Sequence, residues 1–151
     1  MTVTYVDTRE LDIAYFAALV DGEGTITATR NISNVYRQPT VSSRVSVFNT
    51  ERSILDELQS HFGGNVQSGR KPQKAVHSQI YEWQLNGRST LPFLKAILPY
   101  LRIKKAHAEL AIALGETITQ GGGDGLSDRV VYFREQIFEA LKELNKKGPK
   151  E

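Results

Sequence analysis

The chain has 151 residues, 19 Lys and Arg against 17 Asp and Glu, a net charge of +2, 40% hydrophobic residues and no cysteine. That length suits a single domain, spanning 1–151, and the absence of cysteine excludes disulfide scaffolds, cysteine-ligated zinc and thiol nucleophiles. No apolar run approaches a membrane span and no targeting segment is visible, so the expectation is an intracellular protein without a membrane partner, in the cytoplasm of a prokaryote or an organelle of a eukaryote.

Asp7 to Glu10 spells a capping box, in which the Glu would reach back to the cap amide, so a helix is expected from there. Residues 11–20 are apolar apart from Asp12, and a helix without a solvated stripe must be covered on every side. Glycine is expected to interrupt it at Asp21-Gly22-Glu23-Gly24, leaving two carboxylates at the end of a buried element. From Thr25 the apolar period changes to two. Val41, Val45 and Val47 alternate with Ser42, Arg44 and Ser46, while Tyr81, Trp83 and Leu85 alternate with Glu82 and Gln84. Strands are expected over 40–49 and 80–86, paired with 25–31 and 65–71. Between the hairpins Ile54, Leu55 and Leu58 mark a helix over 50–62, stopped by Gly63-Gly64. Helices follow over 90–101, 104–114 and 128–145, with Pro92 tolerated in a first turn.

This order is α+β: one sheet of four antiparallel strands with helices on one face, a core over about 8–115, and a C-terminal helical extension over about 127–146. The opposite face presents Thr27, Thr29, Asn31, Thr40, Ser42, Arg44, Ser46, Gln67, Glu82 and Gln84. That is what any water-facing sheet shows, and it is also a donor and acceptor set able to read base edges and phosphates. Basic residues segregate with it. Residues 24–50 carry Arg30, Arg37 and Arg44 and no acid, and residues 63–81 carry Arg70, Lys71 and Lys74 and no acid, so a strongly positive face is compatible with the small net charge.

The stretch Phe16-Ala17-Ala18-Leu19-Val20-Asp21-Gly22-Glu23-Gly24 resembles the signature of the LAGLIDADG homing endonucleases, with Val20 standing for Ile and Phe16, Ala18, Gly22 and Glu23 as substitutions. Further landmarks continue the resemblance over residues 10–115: Val47-Phe48-Asn49-Thr50, Phe62-Gly63-Gly64-Asn65-Val66, Tyr81-Glu82-Trp83-Gln84-Leu85-Asn86, and Leu98-Pro99-Tyr100-Leu101-Arg102-Ile103-Lys104. The resemblance implies the family's αββαββα fold with a saddle-shaped DNA-binding sheet. It implies an Mg²⁺-dependent endonuclease that hydrolyses both strands of a long, near-palindromic DNA target, making the double-strand break used in intron homing.

Within that resemblance Glu23 is the metal-binding and catalytic acid, where the family more often has Asp, with Gly22 as a further metal ligand. Lys104 is the base near the scissile phosphate, and Asn49 positions solvent. Asp21 is assigned mainly a structural role at the helix foot. Small residues let two motif helices approach, which places Phe16, Ala17, Ala18, Val20 and Asp21 at a homodimer interface. The chain carries one motif, and cutting two strands needs two acids, so it must pair with itself. Mg²⁺ is the implied cofactor, with Mn²⁺ an alternative and Ca²⁺ a non-cleaving substitute. DNA contacts are expected from Thr27, Thr29, Asn31, Ser33, Arg37, Thr40, Ser42, Arg44, Ser46, Gln67, Arg70, Lys71, Glu82 and Gln84, with Glu82 either accepting from a cytosine or pairing with a neighbouring Arg. An RNA maturase or a transcription regulator on the same scaffold, binding without cleavage, is the alternative.

Other constellations are weaker. His61, His77 and His107 form no evident His/Glu ligand pair at zinc spacing. The Gly-rich stretch 120–126 follows a helix and lacks a Lys-Ser/Thr, so it reads as a connector, and no Gly-x-Ser-x-Gly elbow is present.

Overall fold

The computed structural model describes residues 8–32, 39–69, 78–118 and 127–146. In chain order they form α1 (Thr8–Glu23), β1 (Gly24–Ile32), β2 (Pro39–Asn49), α2 (Arg52–Phe62), β3 (Asn65–Ser68), β4 (Tyr81–Asn86), α3 (Thr90–Ile97), α4 (Lys105–Glu116) and α5 (Asp128–Leu144), with 3₁₀ turns at Gly87–Ser89 and Leu98–Tyr100. The helix expected over 90–101 therefore ends early. Pro99, which has no N–H to give an α-helical bond, lies in the 3₁₀ turn that follows.

The sheet is antiparallel with order β1-β2-β4-β3, so the two hairpins meet through β2 and β4. Ile26 opposes Val45, Val45 opposes Leu85 and Val47 opposes Trp83, which places all five on one face. Phe16, Ala17, Val20, Phe93, Leu94 and Ile97 pack onto that face to make the main core. Trp83 is fully buried, and its indole N–H donates to Gly63 O at 2.7 Å, so the burial leaves no orphan donor. Ser43 falls on this face against the apolar alternation. It is bonded to Thr90 Oγ1 at 2.8 Å and donates to Gly87 O, so its burial costs no hydrogen bond.

Helix α1 continues through Gly22 to Glu23, the interruption falling at Gly24, the last residue of the expected stretch, where the chain turns directly into β1. A Cβ at Gly24 would lie 2.8 Å from Val20 Cα and 2.9 Å from Val20 O, so only glycine allows so abrupt a change from helix to strand. Asp7 of the expected capping box lies outside the described residues, and the Glu10 carboxylate accepts from the Tyr100 hydroxyl at 2.8 Å, fastening α1 to the turn before α4. At the end of α2, Gly64 has φ +88, and a Cβ there would meet Gln84 O at 2.5 Å; this is the left-handed stop expected at Gly63-Gly64.

Helix α5 covers the β1 end of the sheet on the same face. Ile137 and Leu141 join Ala28, Val41 and Leu114 in a second core. Because β1 is an edge strand, some of its polar groups lack a strand partner. Asn145 Nδ2 donates to Ile26 O at 2.9 Å and satisfies one of them. Ser127 caps α5 by accepting from Val130 N. The strand expected to reach Lys71 ends at Ser68, and the Gly-rich stretch 120–126 lies outside the described residues. Among the described residues no helix is long and apolar enough to cross a membrane.

Candidate functional site

Glu23 ends α1 with its side chain exposed, and its carboxylate accepts from Asn49 Nδ2 at 2.7 Å. Asn49 is itself held, because its Oδ1 accepts from Glu51 N at 2.8 Å in the turn before α2. One side-chain amide thus closes the turn and aims the carboxylate. Glu23 borders two hollows, one lined with Phe48, Asn49, Thr50 and Ile80, the other with Tyr15, Ala18, Leu19 and Gly22. The structure therefore brings the expected Glu23, Gly22 and Asn49 to one place.

Asp21 faces the other way and accepts from three successive backbone amides: Arg102 N at 2.8 Å, Ile103 N at 3.2 Å and Lys104 N at 3.0 Å. Lys104 is the N-cap position of α4 and makes no side-chain cap of its own; the carboxylate of α1 takes its amide and the two before it, fixing the turn that leads into α4. The lock is reciprocal. Lys104 Nζ donates to Val20 O at 3.1 Å and to Gly24 O, covering carbonyls at the C-terminal end of α1, where a cation also suits the helix dipole. Partial burial pushes the Lys104 ammonium below its ordinary pKa, and the nearby Asp21 carboxylate opposes that shift. An ammonium has three donors, and two are committed to backbone here.

On the outer face of the sheet, Thr27, Thr29, Asn31, Thr40, Ser42, Arg44, Gln67, Glu82 and Gln84 share a side and are exposed or half-buried. Several are already paired across strands. Thr29 Oγ1 lies 3.4 Å from Ser42 Oγ, Thr40 donates to Asn31 O, and Arg44 Nε donates to Asn86 Oδ1 at 2.9 Å. Glu82 has a partner other than an Arg: Gln67 Nε2 donates to it at 3.0 Å from the directly opposed position. Ser46 is a correction: flanked by Thr25 and Gln84 on its two neighbouring strands, its short side chain is only 6% exposed. Ser33, Arg37, Arg70 and Lys71 lie outside the described residues. Arg30 does not belong to the outer face. It pairs with Glu135 and lies over the Phe138 ring at 4.3 Å, both on α5.

The anticipated interface on α1 divides. Phe16, Ala17 and Val20 are each 1% exposed or less inside the chain's own core, so they are not available to a partner. Ala18 is exposed and Asp21 half-buried in the lock. The outward stripe is instead Leu11, Tyr15, Ala18 and Gly22, with Leu11 and Tyr15 each 56% exposed. Alternation alone also overlooked Phe48 and Ile80, which are 38% and 41% exposed beside Glu23. The outward parity of Phe48 on β2, the position of Ile80 in step with Glu82 and Gln84 just before β4, and their apolar character were the available signal.

No family model and no curated protein matches the chain. Solved structures do. The homing endonuclease I-CvuI in complex with its target in the presence of Ca shares 23% identity over 95% of this chain and 88% of that one, with a TM-score of 0.76. The archaeal intron-encoded homing endonuclease I-Vdi141I complexed with DNA shares 15% identity over 94% and 89%, with a TM-score of 0.73. The I-LtrWI LAGLIDADG homing endonuclease bound to target DNA shares 11% identity over 92% of this chain but 45% of that one, with a TM-score of 0.65. With its αββαββα core and four-stranded antiparallel sheet, the chain has the LAGLIDADG homing endonuclease fold.

Proposed function

We propose that the protein is a site-specific DNA endonuclease that acts as a homodimer and uses Mg²⁺ to hydrolyse both strands of its target. The observation that carries this reading is Glu23: an exposed carboxylate, aimed by Asn49, at the foot of a helix that borders a polar sheet face. Its neighbours in fold include endonucleases complexed with DNA, one of them in the presence of 2 mM Mg with the DNA not cleaved. The residues present fit a hard divalent cation. The Glu23 carboxylate and the Gly22 carbonyl offer oxygen donors, and among the described residues nothing beyond the helix's own backbone and the adjoining residues lies within 4 Å of where a Cβ on Gly22 would be. When bound, Mg²⁺ neutralises charge on the phosphodiester and its attacking and leaving oxygens.

The chain's own residues do the positioning. Asn49 keeps the Glu23 carboxylate at one orientation. The Asp21 and Lys104 lock fixes the foot of α1 against α4, and Lys104 brings a positive charge beside Gly24 for the developing phosphate charge. Thr27, Thr29, Thr40, Ser42, Arg44, Gln67 and Gln84 supply donors and acceptors for base edges and backbone.

Dimerisation follows from the count of acids and from the outward stripe on α1. A helical glycine costs about 1 kcal/mol against alanine, and among the described residues no contact from another element requires one at Gly22. A second copy of α1 packed closely there supplies the reason. The chain also spans most of I-CvuI and I-Vdi141I but under half of I-LtrWI, as expected if this unit stands once in some chains and twice in others.

The test begins by selecting bound duplexes from a randomised library and then adding Mg²⁺. The expected result is cleavage of both strands of the selected duplex by the parent protein, while Glu23→Gln binds it equally and leaves it intact. Binding without any cleavage above the Glu23→Gln level would overturn the nuclease reading in favour of a binding protein.

A further inference from the structure

The opposite end of α1 carries a second constellation of ligating groups. Asp12 on α1 and Glu57 and His61 on α2 bring a carboxylate oxygen, a carboxylate oxygen and an imidazole nitrogen within 4.8 Å of one another. Glu57 and His61 are four residues apart on one helix and so share a face. Asp12 stands one turn before Phe16, whose ring packs against the His61 ring at 5.8 Å, so two pairs at helical spacing face each other across the gap between α1 and α2. Only the Glu57 and His61 spacing is visible in the sequence; the fold adds Asp12 from α1.

We propose that Asp12, Glu57 and His61 form a binding site for a transition-metal dication of the Zn²⁺ class, separate from Glu23 and independent of the endonuclease reading. The donor set selects the metal. One imidazole with two carboxylates suits Zn²⁺ and its neighbours, whereas Mg²⁺ prefers oxygen alone. Three protein ligands on an exposed surface leave a fourth position for water, the arrangement of an open zinc site. Around a four-coordinate Zn²⁺ with bonds of about 2.0–2.1 Å, ligand atoms stand about 3.3 Å apart. The three side chains are all exposed and free to close that distance by rotamer adjustment. His61 is the anchor. Phe16, itself buried, and Phe62 pack against its ring, so less of its freedom remains to be lost on binding.

Two further features bear on the charge balance. His61 lies in the last turn of α2, next to the Gly63 cap, where the negative end of the helix dipole favours a cation. Against this stands the positive charge of Arg9, whose side chain lines the same hollow as Asp12 and His61. Two carboxylates still outnumber one guanidinium. Binding would tie α1 to α2 by a link additional to the Phe16 and Phe62 contact.

The test is equilibrium dialysis of the full chain against Zn²⁺ in excess Mg²⁺, with Co²⁺ absorption as the second measurement. One Zn²⁺ per chain is expected, bound in the micromolar range or tighter, with Co²⁺ giving the intense visible bands of a four-coordinate ion. Asp12→Asn, Glu57→Gln and His61→Ala should each weaken binding at least about tenfold, no less than the loss of an outer partner costs, with unchanged far-ultraviolet circular dichroism. Glu23→Gln should leave the affinity as it was. Absence of saturable binding, or binding that falls with Glu23→Gln and survives His61→Ala, overturns the proposal whether or not the protein cuts DNA.

Discussion

Asp21 and Glu23 stand two positions apart and do different work because a helix turns about 200° between them. One carboxylate is delivered to the amides of residues 102–104, the other to Asn49 and open solvent. Their mutational costs should differ accordingly. Asp21→Ala removes a charged acceptor from three amides, of which the Lys104 amide is part-buried, and should cost about 2 kcal/mol. Glu23→Ala, at an exposed position, should stay within about 0.5 kcal/mol of the parent. Urea unfolding separates the two, and an Asp21→Ala protein with an undiminished midpoint would show that the lock contributes nothing. The motif's two acids were legible in the sequence as a pair. Their division of labour rests on which way each faces, and the expectation for Asp21 as the structural member agrees with its three amide bonds.

Helix α1 shows what an apolar sequence conveys and what it leaves open. Residues 11–20 are apolar apart from Asp12, a composition that leads to the expectation of coverage on every side, and the chain's own fold covers one side of them. Composition alone could not say which residues meet the chain's own core and which meet something else, because Phe16, Tyr15 and Leu11 are equally apolar by type. The sheet decides it. Phe16, Ala17 and Val20 pack with Ile26, Val45 and Trp83, which leaves Leu11, Tyr15, Ala18 and Gly22 as a stripe on the far side at helical spacing. The two faces make opposite predictions. Phe16→Ala opens the core and should cost about 3–5 kcal/mol. Tyr15→Glu, on a side chain 56% exposed, should leave the fold intact and abolish self-association. Analytical ultracentrifugation reads the second. If Tyr15→Glu sediments with the same mass as a dimeric parent, the stripe is not the interface.

At the scale of the molecule, a net charge of +2 is distributed by strand parity as well as by segment. The alternation of Val41, Val45 and Val47 and of Trp83 and Leu85 revealed β2, β4 and the side that faces the helices. The same parity places Arg30 with Ile26 and Ala28, toward α5, where it pairs with Glu135. Counting basic residues by segment missed this because it ignored parity, and the Gln67–Glu82 pair was hidden because it depends on register. Of the two, only Arg44 points outward, opposite Asn86. Each phosphate neutralised by a protein cation contributes about 0.9 to the slope of log affinity against log salt concentration. If Arg44 meets a phosphate in each of two subunits, Arg44→Ala should reduce that slope by about 2. Arg30→Ala should leave the slope unchanged, because its guanidinium is held by Glu135 and Phe138 on the helical side of the sheet. Filter binding of both variants to the selected duplex across a salt series decides the matter. Equal slopes for parent and Arg44→Ala would mean that Arg44 acts through Asn86 or a base edge, whereas a reduced slope for Arg30→Ala would mean that DNA reaches the helical side of the sheet.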